Sequence, residues 1–271
     1  MFQSRTEAFA LIAPAALFSA LVFMVPVLVL LSEGFHAHGA PFVSFFSAPL
    51  NQTVFLRTLK IGVLVTAAAA AIGYVAAQAI VNLNPHGKGR MVGLVVLPLM
   101  VSPVARTYAW IVILGRTGIV NQALTTLGLS DQPIRFLFSE TAVFIGLLQL
   151  LLPLMIISLV SALENMPRDA VPAARVLGAN GFQTFWKVTL PLTREGLAIG
   201  GTLVFAGSMT AYITPAVLGG SKVLMLETLL YQRVSVANDL VSAAVIAFIL
   251  IVMSFGANLV LRRIARARSA A

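Results

Sequence analysis

Six long apolar runs decide what this chain can become. They occupy residues 9–32, 61–81, 91–114, 141–163, 196–221 and 240–261, and only the third contains a charge, Arg106. A helix needs about 20 apolar residues to cross the hydrocarbon of a bilayer. The runs are continuous rather than alternating, which predicts helices and not barrel strands. The fold class that follows is an all-α membrane protein with six transmembrane helices, built as a single domain over residues 1–271. The first run is too long for the apolar core of a signal peptide, about 7–15 residues, and reads as a retained span.

Only 10% of the residues are charged, against about 25% in a soluble domain. The net charge of +9 could suit nucleic acid. The basic residues instead sit in short loops beside the apolar runs, where they orient membrane spans. Lipid, not nucleic acid, is the expected surrounding. One side of the membrane would carry eleven Lys and Arg and the other six. The richer side should be cytoplasmic. Both termini and residues 164–195 then lie in the cytoplasm. There is no cysteine, so disulfides and thiolate metal sites are excluded. His36 and His38 form a pair, too few ligands for a metal ion, and no metal site is expected.

The segment 164–195 is long for a passive link, since helix–helix connections run about 2–8 residues. Within it lies VPAARVLGANGFQTFWKVTLPL. Asp169 can cap a helix starting at Ala170, with Pro172 in the first turn, where a missing donor costs little. Gly178 or Gly181 would end that helix. A second short helix is predicted over 182–188, with Pro191 opening the fifth span. Ala174 and Gly178 are four apart and would share a helix face, admitting another surface close to the backbone. Docking of a partner and packing against the chain's own membrane ends both satisfy this pattern.

Ala173-Ala174-x-x-x-Gly178-Ala179, followed by Phe185 and Leu190-Pro191, resembles the EAA loop of binding-protein-dependent ABC importer permeases. Arg106-Thr-Tyr-Ala-Trp110 is similar to the RTYAW stretch of the spermidine/putrescine-type subclass. The stretch from Tyr212 to Gly220, YITPAVLGG, resembles that subclass's YVTPALLGG. The resemblance implies a type I importer permease fold in a bacterial inner membrane. It implies a coupling surface at Asp169, Pro172, Ala173, Ala174, Gly178, Ala179, Phe185, Leu190 and Pro191. It implies partners: a homodimeric ABC ATPase that binds ATP and magnesium, a second permease forming a heterodimer, and an extracytoplasmic solute-binding protein. One departure stands out, because Pro172 occupies the position of the motif's usual Glu.

The chain has no G-x-x-x-x-G-K-[ST] phosphate loop, so ATP hydrolysis must come from another polypeptide and the chain is not itself an enzyme. Polar groups inside a membrane are costly and invite a functional reading. Arg106, Tyr108, Trp110, Gln149, Ser208, Thr210, Tyr212 and Pro215 are the candidates for a solute pathway. Arg106 could equally snorkel to the interface. The subclass points to polyamines, whose recognition favours carboxylates and aromatic faces. The six runs contain no Asp or Glu, and Ala211 stands where the subclass often has an acid. An opine or amino-acid-like solute therefore stays open. The rival class is a self-sufficient secondary transporter or channel. It predicts membrane-embedded acids for ion coupling, and it leaves the long cytoplasmic segment unexplained.

Overall fold

The computed structural model describes residues 5–35 and 39–267, and all regular structure among them is helical. In chain order the helices are α1 (Arg5–Phe35), α2 (Ala40–Ser47), α3 (Pro49–Val81), α4 (Pro85–Met100) and α5 (Pro103–Leu114). There follow α6 (Ile119–Thr126), α7 (Glu140–Glu164), α8 (Ala170–Val176), α9 (Gly181–Thr184) and a π-helical turn, Phe185–Thr189. The remainder are α10 (Leu190–Thr210), α11 (Ile213–Leu218), α12 (Leu226–Ser235) and α13 (Leu240–Ala267). His36 and His38 lie outside the described residues.

The chain divides into two units, residues 1–52 with 230–249 and residues 53–229 with 250–271. In the first, Phe42 meets Phe248 edge-on with ring centroids 5.3 Å apart. Asn51 donates from Nδ2 to the carbonyl of Phe45 at 3.2 Å, fixing the corner between α2 and α3. Helix α1 leaves Phe18, Leu28 and Val29 exposed, as a lipid-facing or partner-facing helix does.

The second unit is built around α7. Val143, Leu147, Met155 and Leu159 are fully buried along it, and Ile61, Val65 and Ala69 of α3 pack into the same core. Apolar side chains gain little by leaving lipid for protein, so close backbone approach and buried hydrogen bonds must hold such helices together. Gly196 shows this. A Cβ there would stand 2.3 Å from that of Ala162 and 2.9 Å from the carbonyl oxygen of Ser158. The hydroxyl of Ser158 in turn donates to the Gly196 carbonyl at 2.8 Å. Tyr74 of α3 hydrogen-bonds Thr193 of α10.

Three long helices, α3, α7 and Leu240–Arg263 within α13, are apolar enough to cross a membrane, and the α4–α5 pair makes a fourth if counted as one span. The structure corrects the predicted spans in three places. The third is not continuous: it bends by 93° between α4 and α5. Val101 and Ser102 are extended at the break, with ψ of 135° and 131°. Pro103 favours the extended backbone at Ser102, because its ring disfavours the α conformation at the preceding residue. The fifth span is broken too. Helix α10 ends at Thr210, and Ala211 is extended with ψ of 119°. The ring of Pro215 would collide with the carbonyl of Ala211 in an unbroken helix. It sits instead in the first turn of α11, where its missing donor is harmless. The second span begins at Pro49, so Arg57 and Lys60 are helical rather than in a loop. Both reach Glu140, Arg57 from Nε at 3.0 Å, and Arg57 also donates to the Leu224 carbonyl at 3.2 Å.

Candidate functional site

Helix α8 starts at Ala170, as the sequence predicts. Asp169 precedes it but makes no side-chain cap, because its backbone is already helical, with φ −85° and ψ −10°. The helix ends at Gly178 in a left-handed conformation, φ 83°. The amide of Ala179 donates to the Ala174 carbonyl and that of Gly178 to the Arg175 carbonyl, both at 3.0 Å. This paired closure is the Schellman motif, which needs a positive φ at its glycine.

Gly178 therefore lies beyond the helix and does not share a face with Ala174, which corrects the predicted small-residue face. Ala174 points inward and is buried. A Cβ on Gly178 would meet nothing within 4 Å. The glycine is needed for its backbone angle, not for room. The outward face consists of Pro172, Ala173, Val176 and Leu177. Val176 is 88% exposed and Leu177 86%. Phe182 on α9 adds a further exposed ring, 6.0 Å from that of Trp186.

The predicted short helix over 182–188 is also corrected. Asn180 caps α9 in a reciprocal capping box with Gln183. The chain then runs through the π turn directly into α10, with Leu190 and Pro191 in the first turn of that helix. Phe185 within the π turn stands edge-on to Tyr74 of α3, centroids 5.1 Å apart. The α9 segment is thus continuous with α10 through the π turn and touches α3 through an aromatic contact, while α8 joins α9 through the turn at 177–180. At the same end of the unit Lys88 of α4 pairs with Glu164 of α7 at 2.8 Å.

Across residues 11–269 the sequence matches the family described as binding-protein-dependent transport system inner membrane component. The chain belongs to this family. It is a permease subunit of an ABC importer. It is 34% identical over 268 residues to the spermidine/putrescine transport system permease protein PotB of Haemophilus influenzae, covering 92% of this chain and 94% of that one. It is 33% identical over 178 residues to PotB of Escherichia coli strain K12, covering 66% of this chain and 65% of that one. Its fold superposes with a TM-score of 0.78 on a chain in the crystal structure of a bacterial alginate ABC transporter in complex with alginate pentasaccharide-bound periplasmic protein. That match has 17% identity and covers 96% of this chain and 94% of the other.

The permease brings only some of its polar pathway candidates together. Trp110 of α5 donates from Nε1 to Gln149 of α7 at 3.4 Å, and both line a cleft of about 400 Å³ with Pro98, Leu152 and Pro153. Thr107 meets Thr214 at 3.2 Å, tying α5 to α11, and Pro215 is buried beside them in sequence. Tyr108 is 58% exposed on the outer face of α5. Ser208 does not join them: it is buried and donates back to the Phe205 carbonyl within its own helix. Thr210 likewise donates to the Ala206 carbonyl. Tyr212 is the residue ahead of α11, at the break. Nε and Nη1 of Arg106 are shielded from water and have no hydrogen-bond partner among the described residues.

Sequence reasoning passed over Glu140 and the Tyr74–Thr193 pair. Glu140 falls one residue outside an apolar run, and the intramembrane tyrosine was legible only as another aromatic. It also passed over Val176 and Leu177 as exposed positions. Their spacing with Pro172 and Ala173, at i and i+4, was the available signal.

Proposed function

We propose that the protein is the permease that carries a small organic solute of the polyamine class inward, driven by ATP hydrolysed on a separate subunit. The observation that carries this is the apolar face of Pro172, Ala173, Val176 and Leu177, exposed on α8, a short turn away from the α9 segment that runs continuously into α10. An exposed apolar cluster on a short helix marks a docking surface. Its occupant in this reading is a cleft on a homodimeric ABC ATPase, which supplies the ATP and magnesium sites.

In this reading residues 1–271 act as one permease domain with six crossings: α1, α3, the α4–α5 pair, α7, α10 and α13. Both termini face the cytoplasm of a bacterial inner membrane. A second, different permease completes the pathway, and a solute-loaded binding protein docks on the opposite side, near α2, α6 and α12. ATP binding closes the ATPase dimer, and the α8–α9 segment moves with it. Because α10 packs on α7 through Gly196, the movement passes to the spans as a unit. Coupling is then a two-state bias: ATP favours the outward-facing arrangement over the inward-facing one. Asp169, Ala179, Leu190 and Pro191 shape this segment, and Trp110, Gln149, Tyr108 and Tyr212 line the pathway.

The polyamine assignment comes from the relatives. The unpaired guanidinium of Arg106 favours a second reading, in which the solute carries a carboxylate, as opines and amino acids do. Proteoliposomes of the assembled transporter with its binding protein separate the two. Expected is ATP-dependent uptake of labelled putrescine or spermidine that an excess of amino acids leaves unchanged. Uptake abolished by a carboxylated competitor would move the assignment to the second reading. Uptake without ATP, or purification of the chain with no ATPase attached, would overturn the coupled mechanism itself.

A further inference from the structure

A basic cleft lies along the start of α10. At the end of α10 that follows the π turn, a cleft of about 450 Å³ opens between α10 and the last turns of α13. Arg194 and Arg262 line it, with Glu195 at its edge, Asn258 beside them, and Ile199 and Leu203 further along α10. Nη1 of Arg194 is shielded from water and finds no hydrogen-bond partner among the described residues. Neither arginine forms an ion pair there with a described residue. The side chain of Asn258, inside α13, has no hydrogen-bond partner among the described residues either. A guanidinium nitrogen shielded from water without a partner, as Nη1 of Arg194 is, is unfavourable unless an anion completes it. The site is therefore unfinished as it stands.

The walls say what kind of anion fits. Arg262 falls at the end of the apolar segment Leu240–Arg263, at the level where a span leaves the hydrocarbon. Ile199 and Leu203 are 52% and 48% exposed, one and two turns along α10 from the charged residues. A ligand here meets cations at one end and apolar side chains at the other. A planar guanidinium suits phosphate oxygens in a bidentate fashion. Basic pockets between spans at the membrane surface hold anionic lipid headgroups. Even with Glu195 present, the two arginines leave the lining net positive.

We propose that this cleft binds the phosphate of an anionic phospholipid, with Arg194 and Arg262 on the headgroup and an acyl chain along Ile199 and Leu203. The inference rests on the chain being a membrane permease, and on nothing about its solute or its coupling. Native mass spectrometry of the assembled transporter tests it, with phosphatidylglycerol and phosphatidylcholine of identical chains. The wild type should retain phosphatidylglycerol in preference. R262Q should weaken that retention by about tenfold, the usual loss for one charge-assisted hydrogen bond. R194Q should do the same, and R194K should recover part of it. Phosphatidylcholine retention should not move. Inorganic phosphate at millimolar concentration should not displace the lipid. Equal retention of both lipids would overturn the proposal, as would unchanged retention in R262Q, whose side chain is exposed. Displacement by inorganic phosphate would mark a free-anion site instead. Loss of the ATPase subunit from R262Q with lipid retention intact would mark a protein contact. If R194Q fails to assemble, R262Q and R262K decide the matter alone.

Discussion

The ring of Phe185 stands edge-on to the ring of Tyr74, centroids 5.1 Å apart and planes at 82°. One residue belongs to the π turn ahead of α10 and the other to the long helix α3. Tyr74 also hydrogen-bonds Thr193, four residues beyond the turn. A single tyrosine thus holds both the π turn that closes the α8–α9 segment and the start of the helix that follows it. In the proposed mechanism, movement of α8 and α9 would reach α3 through this contact.

Replacing Phe185 tests that route. An edge-on aromatic pair contributes about 0.5–1.5 kcal/mol beyond its buried area. Phe185→Leu keeps most of the area and should lower the number of solutes moved per ATP modestly. Phe185→Ala should lower it severely while the ATPase still co-purifies. An unchanged solute-to-ATP ratio in F185A would show that the contact carries no coupling.

At Gly178 the expected outcome separates backbone angle from space. A left-handed conformation costs a residue with a Cβ about 1–2 kcal/mol, yet a Cβ here meets open space. Gly178→Asn should therefore retain more uptake than Gly178→Ala, because asparagine tolerates positive φ. Gly178→Trp should lose both uptake and bound ATPase while still inserting in the membrane. If alanine outperforms asparagine, room rather than conformation governs the site.

Gly196 is the opposite case. Its missing Cβ would stand 2.3 Å from that of Ala162. Gly196→Ala should lower the detergent thermal midpoint, with a cost of about 1–3 kcal/mol typical of overpacking. The double variant G196A/A162G should recover part of that loss. Recovery is measured by thermal unfolding of the purified permease, and no recovery would locate the clash elsewhere, at the Ser158 carbonyl.

Asp239 gives a pH dependence. Hydrogen bonds from Ser242, with a smaller contribution from Arg233, hold its carboxyl below the usual carboxylate range against a partial cost of burial. The amide of Ser242 donates to Oδ1 at 3.0 Å, capping the start of α13. A depressed carboxyl pKa stabilises the folded state above the unfolded value, about 3.9, and that contribution is lost as pH falls through the folded value. Protection from hydrogen exchange at residues 240–243, taken relative to the intrinsic rate at each pH, should therefore fall below about pH 4. Asp239→Asn keeps a cap but cannot titrate, so its exchange should lose that pH dependence.

Much of the fold was legible in the apolar runs. Run length and continuity indicate helices, and α7 falls almost where its run does, because nothing interrupts it but Pro153. The start of α8 and its end at Gly178 were legible as well, although Asp169 makes no side-chain cap and only the glycine plays the part expected of it. The loop's motif residues led to the family. The predicted face of Ala174 and Gly178 failed, since spacing on a wheel assumes a helix that here has already ended. The breaks at Ser102 and Ala211 were marked only by prolines, and a proline in a membrane helix permits a kink, a break or neither. Of the pathway candidates, Trp110 and Gln149 meet, while Ser208 turns back to its own helix. A sequence names polar residues but not which way they point.

By itself the sequence determined that this chain lives in a membrane, that its spans are helical and that it belongs with the permease subunits of ABC importers. Those conclusions depend on composition, continuity and short motifs, which are local. Only the tertiary structure decided that Val176 and Leu177 form the outward face, that Tyr74 joins two elements through Phe185 and Thr193, and that Arg194 and Arg262 share one cleft. The reason is physical. Lipid makes every span apolar all round, so hydrophobic patterning no longer tells the inner face of a helix from the outer one. Close approach of small residues and a few buried hydrogen bonds decide it instead, and those link residues far apart in the chain.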